Sequence, residues 1–149
     1  MVRDRKNKIK TVLLASDHAG FKLKEKIKRF LKSKGKKVFD LGTNNTNSVD
    51  YPNYAHLLSR KMGKKKNITG ILVCGSGIGM SMTANKHKNI RAALCYNIKS
   101  TTLSRKHNNA NVMTIGSRLT NSKTALLCVN TFLKTDFDGG RHTRRVKKI

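Results

Sequence analysis

The stretch Ile71-Leu-Val-Cys-Gly-Ser-Gly-Ile-Gly-Met-Ser81 decides the fold. An apolar run ends in Cys74, and glycines then follow at alternate positions, Gly75, Gly77 and Gly79. This order predicts a buried strand, a glycine-rich turn and a helix. Glycine lets the backbone approach a ligand closely and take positive φ, and a helix start offers unpaired N–H groups to an anion. We therefore expect a thiol to lie beside an oxyanion site at this strand end.

The glycine spacing excludes two common nucleotide-binding signatures. It is not the G-x-G-x-x-G of dinucleotide-binding folds, and no Lys-Ser/Thr pair follows it as a P-loop requires. Cys74 is then a nucleophile, a base or a packed strand residue. A reactive thiolate needs a basic field or a helix N-terminus, and the chain supplies both. No acyl-transfer partner is visible, so proton abstraction beside a carbonyl is at least as plausible as nucleophilic attack.

The composition predicts one globular domain over residues 1–149, with a basic arm at 1–9 and a basic tail at 138–149. Lys and Arg outnumber Asp and Glu by 33 to 7, which gives a net charge of +26. Such a field favours anionic ligands or nucleic acid. The charge is spread along the chain, and only 5% of residues are aromatic, with none interleaved in a basic stripe. Nucleic-acid binding is therefore the disfavoured alternative.

Cysteines and histidines give no metal or disulfide pattern. Cys74, Cys95 and Cys128 are widely spaced with no C-x-x-C pair, and we expect the last two to be buried, inert thiols. The five histidines lack metal-ligand spacing, so neither a metal nor a cofactor is expected; His56 and His87 are predicted to be surface residues. No stretch approaches the ~20 apolar residues of a membrane span, and the N-terminus lacks an apolar signal region. The sequence thus predicts a soluble, cytoplasmic protein.

Hydrophobic patterning predicts five strands that alternate with helices. The predicted strands are 11–15, 37–41, 69–73, 91–95 and 112–115. The first predicted helix is amphipathic around 23–31, has its lysines outward and is ended by Gly35. The other predicted helices run from Asp50 to about Gly63, over 81–87, over 99–106, and from the Asn121 cap to about Leu133. This alternation predicts a doubly wound α/β fold of three layers, with a parallel five-stranded sheet between helices. Ligands bind at the carboxyl ends of the strands in such sheets.

Polar residues follow several of these elements. Asp17 and His18 come directly after the first strand, where Asp17 either orients a sugar hydroxyl or caps the next helix. His107 and Asn108 follow a helix, and this histidine can shuttle protons near neutral pH. Arg118 follows the last strand. We expect these groups to converge with Cys74.

A cluster of arginines closes the chain. Arg141, Arg144 and Arg145 stand with His142 beyond the last predicted helix. Arg141 and Arg145 are four residues apart, so they share a face if this segment is helical, and guanidinium groups suit phosphate. A solvated basic tail is the open alternative.

Seven motifs together carry a family resemblance. They are SDHAG at 16–20, DYPNYA at 50–55, CGSGIGMS at 74–81, ANKHKNIRAALC at 84–95, LSRKHNNANV at 103–112, IGSR at 115–118 and GGRHTRRV at 139–146. The chain resembles, from about residue 8 to 146, the ribose-5-phosphate isomerase B family, which also contains galactose-6-phosphate isomerase subunits. The resemblance implies a Rossmann-like fold, metal-free interconversion of ribose 5-phosphate and ribulose 5-phosphate through a cis-enediolate, and a homodimer or tetramer with active sites at the subunit interface.

The resemblance also implies a role for each matching residue. Cys74 matches the base that moves a proton between C1 and C2, His107 the ring-opening group, and Asn108 the residue that holds the intermediate. The remaining matches are an anion hole of Gly75, Ser76, Gly77 and Gly79, sugar contacts from Asp17 and Tyr51, and phosphate contacts from His18, Arg118, Arg141 and Arg145. One branch of the family uses a glutamate base at the position that Met80 occupies here, which leaves Cys74 as the base. A six-carbon substrate, allose or galactose 6-phosphate, is the alternative within the family.

Overall fold

Five parallel strands form the centre of the protein in a computed structural model that describes residues 11–149. The predicted arm at 1–9 lies outside the described residues. The strands are β1 (Thr11–Ser16), β2 (Lys37–Asp40), β3 (Ile68–Cys74), β4 (Ala92–Leu94) and β5 (Val112–Gly116). Their order across the sheet is β2-β1-β3-β5-β4. The chain runs outward from β1 to β2 and then returns to β3, so the sheet changes direction between β1 and β3, where ligands bind in such folds.

Helices cover both faces of the sheet. They are α1 (Phe21–Ser33), α2 (Tyr51–Met62), α3 (Ile78–Ala84), α4 (Ile98–Lys106), α5 (Ser122–Lys134) and α6 (Arg141–Val146). Apolar residues of α1 and α5 pack with Val12 and Leu14 on one face, and those of α2 and α3 pack with Leu13 and Ala15 on the other. Alternate residues of a strand point to opposite faces, so β1 contributes to both cores. The predicted three-layer α/β fold is confirmed.

The helix after β3 begins earlier than predicted. It was expected over 81–87, but α3 spans Ile78–Ala84. Gly77 has a φ of +78°, which turns the chain into the helix directly after the strand. The glycines expected to lie in the turn therefore extend into the first helical turn, because Gly79 belongs to α3.

Helix α1 departs from the expectation that its lysines face outward. Lys24 is fully buried, and its ammonium lies 2.7 Å from a carboxylate oxygen of Asp40 and 3.0 Å from Glu25. Lys28 also contacts Asp40, at 2.7 Å. Burial opposes the charge on Asp40, but hydrogen bonds from the two lysines outweigh it and hold the pKa of this carboxyl below its ordinary value. Periodicity cannot identify a lysine that is paired inside the protein.

The predicted basic tail at 138–149 contains helix α6, which has no buried residue. One further prediction needs correction. His56 and His87, expected to be surface residues, are half-buried, and the distance from Nδ1 of His56 to Nε2 of His87 is 2.6 Å.

Cys95 and Cys128 are buried, as predicted. A membrane-crossing helix is not found between residues 11 and 149, since none of the helices there is long and apolar enough.

Candidate active site

A pocket of about 580 Å³ opens at the carboxyl ends of β1 and β3. These strands are neighbours in the sheet, with Ser16 opposite Val73 in the register. The pocket therefore lies at the point where the direction of the sheet changes, as the strand order requires. Its lining residues are Asp17, His18, Ala19, Tyr51, Cys74, Gly75, Ser76, Ile78, Gly79, Met82, Arg118 and Leu119. Eight of the residues predicted to form the site are thus brought together here.

Cys74 is the last residue of β3, and the glycine turn folds around its sulfur. Cys74 is only 4% exposed, and the backbone N–H of Gly77 donates to its Sγ at 3.0 Å. The N–H of Ile78 donates to the Ser76 hydroxyl at 3.2 Å. The first amides of α3 have no acceptor within the helix, so the turn presents N–H groups next to a sulfur at the pocket wall.

This turn requires glycine because neighbouring atoms leave no room for a Cβ, and because Gly77 has a positive φ. A Cβ on Gly77 would lie 2.7 Å from the side chain of Leu94 and 2.8 Å from the backbone of Ile115. A Cβ on Gly79 would lie 2.5 Å from the ring of Tyr51. The tyrosine, at the start of α2, therefore packs directly on the first turn of α3 and forms part of the pocket wall.

Asp17 stabilises the turn that leads into α1 rather than capping the helix itself, and it also lines the pocket. Its Oδ1 accepts a hydrogen bond of 2.9 Å from the N–H of Gly20, at the start of α1. The carboxyl is nearly buried, at 6% exposure, so its position is fixed. Its second oxygen, Oδ2, accepts no hydrogen bond from the residues that the structure describes. Oδ1 thus holds the start of α1, while Oδ2 is available to accept a hydrogen bond from a ligand.

His18 has a defined tautomer when its ring is neutral. Its Nδ1 accepts a hydrogen bond of 3.1 Å from the N–H of Val49, in the loop before α2. A neutral imidazole carries its proton on the other nitrogen when one nitrogen accepts. The Nε2–H group is therefore a donor, which suits contact with an anion in the pocket.

Arg118 lies over the glycine turn. A Cβ on Gly75 would meet Nη1 of Arg118 at 3.2 Å, and the N–H of Arg118 donates to the carbonyl of Gly75 at 3.0 Å. The preceding residue, Ser117, donates from its N–H to the carbonyl of Cys74 and from its hydroxyl to that of Ala19, each at 2.8 Å. These bonds tie the ends of β1, β3 and β5 together and place the backbone of Arg118 at the pocket.

Of the five remaining predicted residues, Gly77 belongs to the glycine turn beside Cys74, and the other four do not line this pocket. His107 ends α4, and its ring stacks on that of His142 with centroids 4.2 Å apart. Asn108 lines a separate cavity of about 850 Å³, and Arg141 and Arg145 are exposed on α6. Partial burial lowers the pKa of His142, and the neighbouring His107 lowers it further. The predicted site residues thus fall into two groups on different parts of one molecule.

Sequence reasoning missed the apolar rim of the pocket. Ile78, Met82 and Leu119 are lining residues with exposures of 45%, 66% and 69%. Ile78 and Met82 lie on the short helix α3, and Leu119 lies in the turn after β5. These segments are too short for periodicity to distinguish an apolar side chain that faces solvent from one that faces the core. Met80, by contrast, is fully buried, and its side chain packs with the core rather than facing a ligand.

No group of three or more His, Cys, Asp or Glu side chains between residues 11 and 149 is arranged to hold a metal ion. The pocket instead offers donors to an anion, namely backbone amides, the His18 ring and a guanidinium. The sulfur of Cys74 lies among them, and its thiolate form can take up a proton. This combination suits a phosphorylated substrate that loses a proton from carbon.

Comparison with known proteins gives the same picture. A family model described as Ribose/Galactose Isomerase matches residues 12–149. Ribose-5-phosphate isomerase B of Escherichia coli is 39% identical over 141 residues, which cover 95% of each chain. A putative sugar phosphate isomerase of Rickettsia conorii is 43% identical over 93% of this chain and 96% of its own length.

Solved structures match equally well. A ribose 5-phosphate isomerase of Thermotoga maritima superimposes with a TM-score of 0.90 and 48% identity, covering 93% of this chain and 95% of that one. Ribose-5-phosphate isomerase B of Mycoplasma genitalium, solved with bound ribulose 5-phosphate, has a TM-score of 0.90 and 43% identity over 93% and 92% of the two chains. The similarity extends over nearly the whole chain.

Proposed function

The chain belongs to the ribose/galactose isomerase family, and from that premise we propose that it interconverts ribose 5-phosphate and ribulose 5-phosphate. The observation that carries the proposal is the pocket at the ends of β1 and β3. It brings the thiol of Cys74, a glycine turn and the cationic side chain of Arg118 together in one place. An aldose–ketose isomerase needs these three elements, a base, a site for a developing oxyanion and an anchor for phosphate.

The proposed reaction moves one proton between neighbouring carbons. The thiolate of Cys74 removes the proton from C2 of the open-chain aldose, and the electrons of that C–H bond form the enediolate while the C1 oxygen becomes negative. A proton then passes from the C2 hydroxyl to the C1 oxygen, the enediolate takes the first proton back from Cys74 at C1, and the C2 oxygen forms the carbonyl of the ketose. Backbone amides of the glycine turn stabilise the negative oxygen, as an oxyanion hole does. The N–H of Gly77 already donates to the sulfur and would also stabilise its thiolate form.

The other pocket residues would hold the substrate. Arg118 and the Nε2–H of His18 are the proposed phosphate donors. Asp17 would accept a hydrogen bond from a sugar hydroxyl through Oδ2, since Oδ1 is occupied by Gly20. Tyr51 would form the wall against which the sugar lies.

We also propose that two copies of the chain form each site. His107 for ring opening, Asn108 for the intermediate, and Arg141 and Arg145 for the phosphate lie outside the pocket of their own chain. A second copy that brought them to the pocket would complete the site. The exposed apolar rim supports this arrangement, because a large uncovered apolar patch marks a surface that another protein covers.

The test is an assay of the purified protein on two substrates. With ribose 5-phosphate, we expect a ketopentose phosphate to accumulate to equilibrium without added metal. Absence of turnover on any sugar phosphate would refute the proposal. A six-carbon phosphate, such as allose or galactose 6-phosphate, is the second candidate, because the matching family model includes galactose isomerases. The comparison of kcat/KM on ribose 5-phosphate and on the six-carbon phosphate decides between the two candidate substrates.

A further inference from the structure

A second pocket, of about 460 Å³, lies at the opposite end of the sheet from the candidate active site. Most of its lining residues immediately precede β3, β4 or β5 or begin β3, whereas the candidate active site follows the carboxyl ends of the strands. Since β3 has seven residues, the two ends are about 20 Å apart. The residues that line it are Gly63, Lys64, Lys65, Lys66, Asn67, Ile68, Thr69, Asn89, Arg91, Arg105, Asn109 and Asn111.

This pocket concentrates positive charge, and no carboxylate lines it. Three consecutive lysines, Lys64 to Lys66, lie on one side of it, and Arg91 and Arg105 lie on another. Five of its twelve lining residues are therefore cationic, and none is acidic. No ion pair to any of the five is found among residues 11–149. Asp136 acts electrostatically on Arg105 but does not line the pocket.

Hydrogen bonds, mostly to backbone carbonyls, hold the two arginines in place, and some of their N–H groups remain without an acceptor. Nε of Arg91 donates to the carbonyl of Asn109 at 3.0 Å. Nε of Arg105 donates to the carbonyl of Thr135 at 3.1 Å, and its Nη1 to Asn109 and Ala110. Within the described part of the chain, neither Nη group of Arg91 has an acceptor, and Nη2 of Arg105 has none. Rigidly held guanidinium groups with spare N–H donors are suited to phosphate oxygens.

The chain itself balances the charge of these two arginines only in part. Burial lowers the pKa of both Arg91 and Arg105; for Arg105 the charge of Asp136 opposes this shift, and the positive charge of Arg91 adds to it. Two like charges that lose water and repel each other are unfavourable unless an anion joins them. The geometry of the pocket supplies the place for that anion.

We infer that this pocket, which we call the basic pocket, binds a small anion that carries two or more phosphate groups. The number of cations exceeds what a single phosphate needs, and the volume falls within the range of small-molecule sites. No aromatic side chain lines the pocket, so it offers no stacking surface for a base of single-stranded nucleic acid. The inference does not depend on the proposed isomerase activity, because the basic pocket shares no residue with the candidate active site.

Calorimetric titration with tripolyphosphate tests the inference, using an Arg118→Gln background to weaken anion binding at the candidate active site. We expect one saturable site per chain in this background. The further triple change Lys64→Gln, Lys65→Gln and Lys66→Gln should weaken binding by about tenfold to a hundredfold, since each exposed ionic contact contributes a factor of about two to five. The matched control is Lys22→Gln, Lys32→Gln and Lys34→Gln on and just after α1, where all three lysines are exposed. This control removes the same charge and should leave the Kd within about twofold.

Equal weakening by both triple changes would overturn the inference, because it would show that only the net charge matters. The inference would also fail if orthophosphate bound as tightly as tripolyphosphate, or if a single-stranded oligonucleotide displaced tripolyphosphate at far lower concentration. Amide NMR shifts locate the binding independently. Tripolyphosphate should shift Asn67, Asn89 and Asn109; shifts confined to the glycine turn at 75–79 would contradict the basic pocket. None of these readouts requires turnover, so they remain informative if the isomerase proposal fails.

Discussion

Gly77 shows how a single residue shapes the candidate active site. Its φ of +78° is a conformation that side chains with a Cβ disfavour, and neighbouring atoms occupy the place of a Cβ. Its N–H donates to Cys74, so the same turn that starts α3 also holds the sulfur. The chemistry of the pocket therefore depends on the local backbone as much as on the thiol.

A comparison of two glycines separates the cost of positive φ from the cost of crowding. Gly35 has a similar φ of +72°, but no atom lies within 4 Å of the position that a Cβ would take there. We expect Gly35→Ala to lower the free energy of unfolding by about 1 kcal/mol, and Gly77→Ala to lower it by about 3 kcal/mol, because overpacking adds to the strain. Denaturant unfolding of both variants provides the measurement. Equal losses would show that the space around Gly77 is not restrictive.

At the scale of secondary-structure elements, a buried ion cluster joins α1 to β2. Lys24 and Lys28 on the helix share Asp40 on the strand, and Oδ1 of Asp40 also accepts the N–H of Gly42 at 3.0 Å. Gly42 in turn contacts Ser16, since its carbonyl accepts the N–H of that residue at 2.8 Å. The cluster thus orders the loop after β2 next to the end of β1, where Asp17 and the candidate site begin.

The two lysines of this cluster should differ in their contribution to stability. Lys24 is fully buried, whereas the side chain of Lys28 is 23% exposed. We expect Lys24→Met to lower the free energy of unfolding by up to about 3 kcal/mol, because a buried partner of Asp40 is lost. Lys28→Met should cost about 1 kcal/mol or less. A larger loss from Lys28→Met in denaturant unfolding would contradict the assignment of Lys24 as the main partner.

The contact between His56 of α2 and His87, which follows α3, makes stability depend on pH. Burial lowers the pKa of His87 below 6.5, and the charges of His56 and Arg60 lower it further. The unfolded chain therefore binds this proton more readily than the folded one. The stabilisation is complete above pH 6.5 and is lost as the pH falls through the lower pKa of the folded state.

His87→Gln tests this dependence through unfolding free energies measured between about pH 7.5 and about pH 5. The variant should show a smaller decrease towards acid than the wild-type protein, because it has no such proton to bind. His142→Gln removes the other histidine whose pKa is lowered, on α6, and should leave the contribution from His87 in place. Identical pH profiles for the wild-type and His87→Gln proteins would exclude the contribution.

At the scale of the whole molecule, the proposed site is divided between two surfaces of one chain. The pocket contains Cys74, and His107 lies elsewhere beside His142. If two copies complete each other's sites, a subunit that lacks Cys74 and a subunit that lacks His107 can together form one intact site in a mixed dimer. Such mutual exchange is a property of a two-fold symmetric dimer.

Mixing two inactive variants tests this arrangement. Cys74→Ala and His107→Ala should each be nearly inactive alone. After the two are unfolded and refolded together in equal amounts, about a quarter of wild-type activity should return. About half of the dimers are then mixed, and each mixed dimer has one intact site of two. Simple mixing without subunit exchange is the control. Lack of recovery, with mixed dimers demonstrated by a mass-tagged subunit, would contradict the shared site.

The sequence predicted much of the fold because the strands are short apolar runs with clear turn signals. All five predicted strands lie where expected, and Gly35 ends α1 with positive φ as predicted. The burial of Lys24 could not be predicted, since it depends on Asp40 sixteen residues away. Asp17, His18 and Arg118 were expected to converge with Cys74 and do so. The separation of His107 from the pocket depends on tertiary packing, which local patterns do not encode.

The turnover of Cys74→Ala on ribose 5-phosphate tests the central claim most directly. Loss of a general base typically lowers kcat by ~10²–10⁴-fold, and we expect a decrease in this range with the melting temperature nearly unchanged. Cys128→Ala is the matched control, because this buried thiol lies in the core between α5 and the sheet, and its kcat should remain near that of the wild type. A Cys74→Ala protein with near wild-type kcat would contradict the assignment of Cys74 as the base.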